Sequence, residues 1–186
     1  PLYLIERVEI IKGPAARIFG QNAFNGAINI VTKDFDGEKG TIHMNLNELS
    51  YGSFAQKNIS LSTKITAENI KSLISYSGNR SDGYRHNTDF KRNNYFVKTS
   101  FNTNKSPVNI IASFNENKFG ANGFYASPSA TEQYEETQAS LLGITTTINS
   151  EKLSITPRLY WRRGQDEYIY IRDNPSVYRN LHKTNK

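Results

Sequence analysis

The stretch Asn58-Ile59-Ser60-Leu61-Ser62-Thr63-Lys64-Ile65, resumed after Thr66-Ala67-Glu68 as Asn69-Ile70-Lys71-Ser72-Leu73-Ile74-Ser75-Tyr76-Ser77, decides the fold. Ile59, Leu61, Thr63 and Ile65 alternate with Asn58, Ser60, Ser62 and Lys64. A period of two sends these sets to opposite faces of an extended strand. The second run repeats the pattern, Ile70, Ile74 and Tyr76 against Lys71, Ser75 and Ser77, with Leu73 as its one break. The connection is too short for a crossover, so the two runs form an antiparallel hairpin with one apolar and one polar face.

The same reading extends in both directions. Segment 40–49 sets Ile42, Met44 and Leu46 against His43, Asn45 and Asn47. Segment 94–102 sets Tyr95, Val97, Thr99 and Phe101 against Lys98 and Ser100, and 108–115 carries Val108, Ile110, Ala112 and Phe114 on one face. Segment 137–148 alternates least cleanly. Segment 152–163 sets Leu153, Ile155, Leu159 and Trp161 against Ser154, Thr156, Arg158, Tyr160 and Arg162. With 54–65 and 69–77 these make about seven antiparallel strands, in the size range of transmembrane strands.

Connection lengths carry the next step. After a short first connection, Ser50–Ser53, short and long ones alternate: Thr66–Glu68, Thr103–Pro107 and Asn149–Glu151 are short, whereas Gly78–Asn93, Asn117–Glu136 and the stretch after Gly164 are long. In a meander, alternate connections share a rim, so short turns lie at one rim and long loops at the other. Outer-membrane barrels have this asymmetry. The expected strand directions bring Tyr76, Tyr95, Phe114 and Trp161 near the long-loop rim, with Phe101 at the opposite one, as an aromatic girdle requires. Lys64, Lys71, Lys98, Arg158 and Arg162 fall on the polar faces. That placement matters, because a cation facing lipid at mid-depth costs about 2–4 kcal/mol.

Composition excludes several classes. The hydrophobic share is 37%, yet 11 Tyr and 10 Phe argue against disorder. No run approaches the roughly 18 apolar residues of a membrane helix. The absence of cysteine removes disulfides, thiolate nucleophiles and Cys-ligated metals. The net charge of +6 is spread along the chain with no basic stripe, so no nucleic-acid partner is expected. About seven strands leave an open edge, which hydrocarbon does not tolerate. A larger barrel, of which this chain is an incomplete part, is therefore expected.

Residues 1–33 differ from the rest. Ile5-Glu6-Arg7-Val8-Glu9-Ile10-Ile11-Lys12-Gly13-Pro14 reads as a strand and stop, Ala15 to Phe19 as a turn or short helical piece ended by Gly20, and Gly26-Ala27-Ile28-Asn29-Ile30-Val31-Thr32 as a second strand. This stretch resembles the closing part of the plug of the TonB-dependent outer-membrane receptors. Glu6, Arg7, Glu9, Gly13, Pro14, Gly20, Gly26 and Asn29 carry the motif, with Lys12 standing where the family often has Arg and Phe24-Asn25 where small residues are commoner. The resemblance implies a mainly all-β chain: residues 1–36 as the C-terminal end of a plug domain, 37–186 as the N-terminal part of a transmembrane barrel of about 22 strands. It further implies active import of a scarce nutrient, a ferric siderophore or cobalamin, driven through TonB. The implied partners are TonB, engaging a segment outside this chain, outer-membrane lipid, the small-molecule nutrient as metal chelate or cobalamin, and a surface lipoprotein as a further candidate. The implied location is the outer membrane of a Gram-negative bacterium. Two rivals are a passive porin or adhesin barrel, which has no plug, and a soluble β-sandwich, which has no rim asymmetry.

No catalytic constellation, cofactor signature or metal spacing stands out. His43, His86 and His182 lie in separate segments, and the loop acids Asp82, Asp89, Asp166, Glu167 and Asp173 lack a calcium-loop spacing. A non-enzymatic protein is expected. The candidate ligand-binding residues are the loop aromatics Tyr84, Phe124, Tyr125, Tyr168 and Tyr170, with Arg85 and Arg172. Rings supply contact area for a large planar or chelated ligand, and arginine pairs with carboxylate or phosphate. The same residues would equally serve to pack the loops against one another.

Overall fold

The computed structural model describes residues 2–14, 23–33, 38–102, 106–125 and 127–186. The chain divides into two compact units, Pro1–Asp36 and Gly37–Lys186. In the first, a short 3-10 turn at Leu2–Leu4 leads into β1 (Ile5–Lys12), which pairs antiparallel with β2 (Gly26–Thr32). Val8 opposite Ile30 and Ile10 opposite Ile28 line up four exposed aliphatic side chains on one face. Glu9 opposite Asn29 belongs to the other face. Gly26 has φ +156°, and a Cβ there would meet the Ile11 carbonyl oxygen at 2.5 Å. Only glycine lets the two strands approach so closely at that end. The turn expected from Ala15 to Phe19, and Gly20, lie outside the described residues.

The second unit is an eight-stranded meander in the order β12-β11-β8-β7-β6-β5-β4-β3. Its strands are β3 (Thr41–Tyr51), β4 (Lys57–Thr66), β5 (Ile70–Ser81), β6 (Phe90–Asn102), β7 (Pro107–Gly120), β8 (Tyr134–Thr146), β11 (Arg158–Ile169) and β12 (Arg179–Asn185). A two-residue pair, β9 (Ile148–Asn149) with β10 (Ser154–Ile155), interrupts the run as a separate small hairpin. Connections 52–56, 82–89, 121–133 and 170–178 share one rim, and 67–69, 103–106 and 147–157 share the other.

Two expectations are corrected. The sheet has eight strands, because Arg179–Asn185 pairs in register with Arg163–Ile169. That segment is polar on both faces, so alternation gives no sign of it. The last two alternating segments are also displaced. β8 closes at Thr146, and β11 opens at Arg158 after Pro157, whose missing N–H interrupts a ladder. The alternation of Leu153 and Ile155 belongs to the small hairpin instead.

Register converts the strands into two faces. Met44, Thr63, Ile74, Val97, Ala112, Leu142 and Trp161 form one continuous row across the sheet, and Ile42, Ile65, Ser72, Thr99, Ile110, Ile144 and Leu159 the next. On the opposite face Lys64, Leu73, Lys98 and Ile111 share a row, as do Asn45, Ser62, Ser75, Phe96, Ser113, Leu141 and Arg162. Above the aliphatic rows stand Tyr76, Tyr95 and Phe114, with ring centroids 5.1 Å and 6.2 Å apart. Trp161 lies one row lower, its indole N–H donating to the Asn185 side-chain oxygen at 2.6 Å.

Burial is inverted relative to a soluble domain. Met44 is 81% exposed, Leu159 73% and Ile42 63%, while Ser60, Ser62 and Ser75 on the opposite face are buried. Leu73 breaks the alternation because it belongs to the polar face, buried between Lys64 and Lys98 in register. An apolar surface spread over seven strands far exceeds the scattered exposed aliphatics of soluble proteins.

Candidate ligand-binding rim

Beyond the aromatic row the sequence stops alternating, yet the ladder continues. Gly78-Asn79-Arg80-Ser81 still pairs residue by residue with Phe90-Lys91-Arg92-Asn93. Backbone pairing needs no apolar face, only a partner strand, so polar strands stand above the band. They shorten the loops to 82–89 and 121–133, well inside the connections expected from the sequence.

The three loops are then tied to one another. Arg172 donates to both Asp89 carboxylate oxygens at 2.6 and 2.9 Å and to the Asn87 side-chain oxygen at 3.1 Å. Its guanidinium also lies 4.4 Å from the Tyr134 ring centroid. The Arg172 guanidinium holds the Asp89 carboxyl below the usual range, against the opposing effect of burial. Asn87, at φ 51°, donates through its amide to the carbonyls of Thr131 and Gln133 at 2.8 and 2.7 Å. The wholly buried Gln133 donates to the Tyr168 hydroxyl at 2.7 Å and accepts from the Tyr125 backbone N–H at 3.3 Å. His86 meets Glu132 at 2.7 Å, and Thr131 and His86 together hold the Glu132 carboxyl low.

The candidate residues separate into three groups. Phe124, Tyr125 and Tyr168 come together as a chain of edge-on rings, with centroids 4.7 and 5.6 Å apart, extended by Tyr178 at 6.1 Å. Tyr168 shares a row with Glu135, Phe119 and Phe90, so this chain stands on the polar face. Burial, then a hydrogen bond with Glu135, pushes the Tyr125 hydroxyl up, so it stays protonated and able to donate. Arg85 donates to the Asn122 carbonyl at 3.1 Å and covers the exposed Tyr84 ring at 5.4 Å. With Arg92, Asn117, Phe119 and Phe124 it lines a cleft of about 340 Å³ at the rim. Arg172 is committed to the loop knot, and Tyr170 joins none of these ring contacts among the described residues.

Sequence reasoning missed Arg92, Gln133 and Tyr178. Arg92 fell in a presumed loop, whereas register puts it on the polar face opposite Asn117, to which it donates at 3.1 Å. In the first unit Arg7 bridges Glu6 at 2.9 Å and Glu9 at 2.8 Å, and the Asn29 amide donates to Glu9 at 2.8 Å. Asn29 first and Arg7 second hold the Glu9 carboxyl low. Gly13 closes the strand pair by donating its N–H to the Asn25 carbonyl at 3.0 Å, and Pro14 follows.

No protein-family model matches the chain. It is 40% identical over 63 residues to the vitamin B12 transporter BtuB of Vibrio vulnificus (strain CMCP6), a stretch covering 34% of this chain and 10% of that protein. It is 47% identical over 38 residues to the ferrienterobactin receptor of Escherichia coli (strain K12), covering 20% of this chain and 5% of that protein. The fold matches the crystal structure of the ferric-catecholate import receptor Fiu of E. coli K12, in its open form, with a TM-score of 0.69 over 99% of this chain. In sequence over these stretches and in fold, the chain is similar to outer-membrane receptors of the TonB-dependent kind. The structural match is 14% identical, so it speaks for the fold alone, and it covers 34% of the Fiu chain. These relatives are transporters and receptors, not enzymes, and the chain spans only a small part of their length.

Proposed function

We propose that this chain is the end of a plug, residues 1–36, and the beginning of a barrel, 37–186, in an outer-membrane importer of a scarce nutrient. The ligand is a ferric siderophore, cobalamin or a molecule of similar size, and TonB supplies the work through a segment outside this chain. The observation that carries the reading is the eight-strand meander whose exposed face is apolar, ringed by Tyr76, Tyr95 and Phe114, with the hydrogen-bonded loops 82–89, 121–133 and 170–178 at the same rim. Such a sheet is at home in a bilayer of a Gram-negative outer membrane and in few other places. The names of the relatives, a vitamin B12 transporter and a ferrienterobactin receptor, support the ligand class.

In this reading Arg85, Arg92 and Phe124 form the cleft that meets the ligand first, with the Tyr125 and Tyr168 rings beside it. Two guanidiniums suit an anionic chelate, and the rings suit its planar groups. Glu6, Arg7, Glu9 and Asn29 give the plug strand pair a charged, hydrogen-bonded face. The test is growth of a receptor-deletion strain complemented with the full-length gene, on a ferric catecholate as iron source or on cobalamin as the limiting vitamin. Rescue that vanishes when TonB is removed supports import. Rescue independent of TonB, with uptake rising linearly with concentration, would sink it in favour of a passive pore.

A further inference from the structure

Register aligns Tyr51, Lys57, Arg80, Lys91 and Lys118 in one row on the apolar, outward face, on the long-loop side of the aromatic girdle. Adjacent strands lie about 4.8 Å apart, so Lys57, Arg80 and Lys91 crowd within about 10 Å of one another. Farther along the row the charges cancel. Lys118 reaches Glu136 at 3.2 Å and Glu116 at 3.4 Å, and Arg179 reaches Glu167 at 2.6 Å. Among the described residues Lys57, Arg80 and Lys91 have no carboxylate within ion-pair distance. The Lys57 ammonium lies 5.6 Å from the Tyr51 ring centroid. Like charges directly opposite one another repel, so three together on neighbouring strands call for an outside anion.

A groove runs below them. It encloses about 490 Å³ and is lined by Leu49, Tyr51, Ile59, Tyr76 and Gly78 along with the three cations. Gly78 opens it, since a Cβ there would come within 2.5 Å of the Tyr76 hydroxyl, which donates to Asn93 at 3.1 Å. The floor is therefore aliphatic, the rings stand at its edge, and the cations lie on the side away from the aliphatic rows. An acyl chain followed by a phosphate has this order of chemistries, and the arginine fork matches phosphate oxygens. A soluble anion has no use for the aliphatic floor.

We propose that Lys57, Arg80 and Lys91 bind the headgroup phosphate of an anionic lipid lying against the outer wall of β3 to β6. The proposal rests on the reading of this face as lipid-facing. The site is distinct from the ligand cleft, because Arg85 and Arg92 line the cleft on the opposite face of the sheet.

The test uses the full-length receptor reconstituted into phosphatidylcholine discs containing a minor fraction of diphosphoryl lipid A, with retention after detergent exchange read by native mass spectrometry. The expected result is retention of the diphosphoryl lipid in preference to its dephosphorylated form. Each single change, Lys57→Gln, Arg80→Gln or Lys91→Gln, lowers retention about fivefold, and the triple change on the order of a hundredfold. The charge-keeping Lys57→Arg/Lys91→Arg variant retains the lipid, which separates charge loss from misfolding. Equal retention of phosphorylated and dephosphorylated lipid, or an unchanged triple variant, overturns the proposal. Displacement of the lipid by millimolar inorganic phosphate overturns the lipid as occupant. A wild-type receptor that fails to insert into discs overturns the membrane reading itself, whereas insertion without headgroup preference overturns this site alone.

Discussion

Replacing Arg172 by alanine isolates the energetics of the loop knot. The change removes two hydrogen bonds to Asp89, one to Asn87 and the stacking on Tyr134. Both partners of the ion pair are 36% exposed, so its worth lies between the roughly 0.2–1 kcal/mol of a surface pair and the roughly 3–5 kcal/mol lost on breaking a buried one. About 1.5 kcal/mol is a reasonable value, to which the guanidinium–ring contact adds about 0.5–1 kcal/mol. A loss of about 2 kcal/mol raises the open population of the loops about 30-fold. The amides that report it are Gly120, bonded to the Asp89 carbonyl, Ala121 to Gln133, and Arg172 to Glu132. Hydrogen exchange in the full-length receptor should accelerate by that factor at these three positions and stay unchanged at Val97 and Ala112 in the strands below. Exchange that is unaltered at Gly120 and Ala121 would refute the idea that Arg172 ties the loops, and equal acceleration throughout the sheet would mean the knot supports the whole unit.

Acid should reproduce that effect without mutation. The Asp89 carboxyl is held below its ordinary 3.8 by Arg172, so its contribution is complete above that value and is lost as pH falls through the lower folded value; loop exchange that loosens between neutral pH and about pH 5 would contradict this. Exchanging a lipid-facing and an inward residue, Val97→Lys with Lys98→Val, keeps composition but puts the charge against hydrocarbon, and folding into vesicles should weaken by about 2–4 kcal/mol. A change below about 0.5 kcal/mol in denaturant titrations would overturn the assignment of faces. Gly26→Ala should destabilise the β1–β2 pair by about 1–3 kcal/mol, read as faster proteolysis within residues 5–32; an unaltered digest would count against the close approach to Ile11. Arg85→Ala with Arg92→Ala should weaken capture of an anionic ferric chelate at least tenfold in fluorescence titration, and unchanged affinity would remove the cleft from the capture step.

How far the sequence was legible depended on what surrounds each strand. Where one face meets an apolar medium and the other a polar one, Ile59 to Ile65 and Tyr95 to Phe101 announce themselves, and register confirms their faces. Above the girdle both faces are polar, so Gly78–Ser81, Phe90–Asn93 and the whole of β12 read as loop although their ladders are intact. Leu153 and Ile155 misled in the opposite sense, since a two-residue ladder suffices to produce alternation. Among site residues, Tyr125, Tyr168 and Phe124 were visible as rings, but their assembly depends on Gln133. A buried glutamine carries no spacing signature and is recognised only from its partners.

The polar strands that outlast the apolar band have a mechanical consequence. The loops do not hang from the bilayer surface on long tethers; they cap a stiff parapet of paired backbone, cross-braced by Arg172 and Gln133. On the proposed reading, a ligand captured there would meet walls already in position, so little ordering entropy would remain to be lost. An anionic ligand drawn by Arg85 and Arg92 would then arrive more slowly as salt screens their charge.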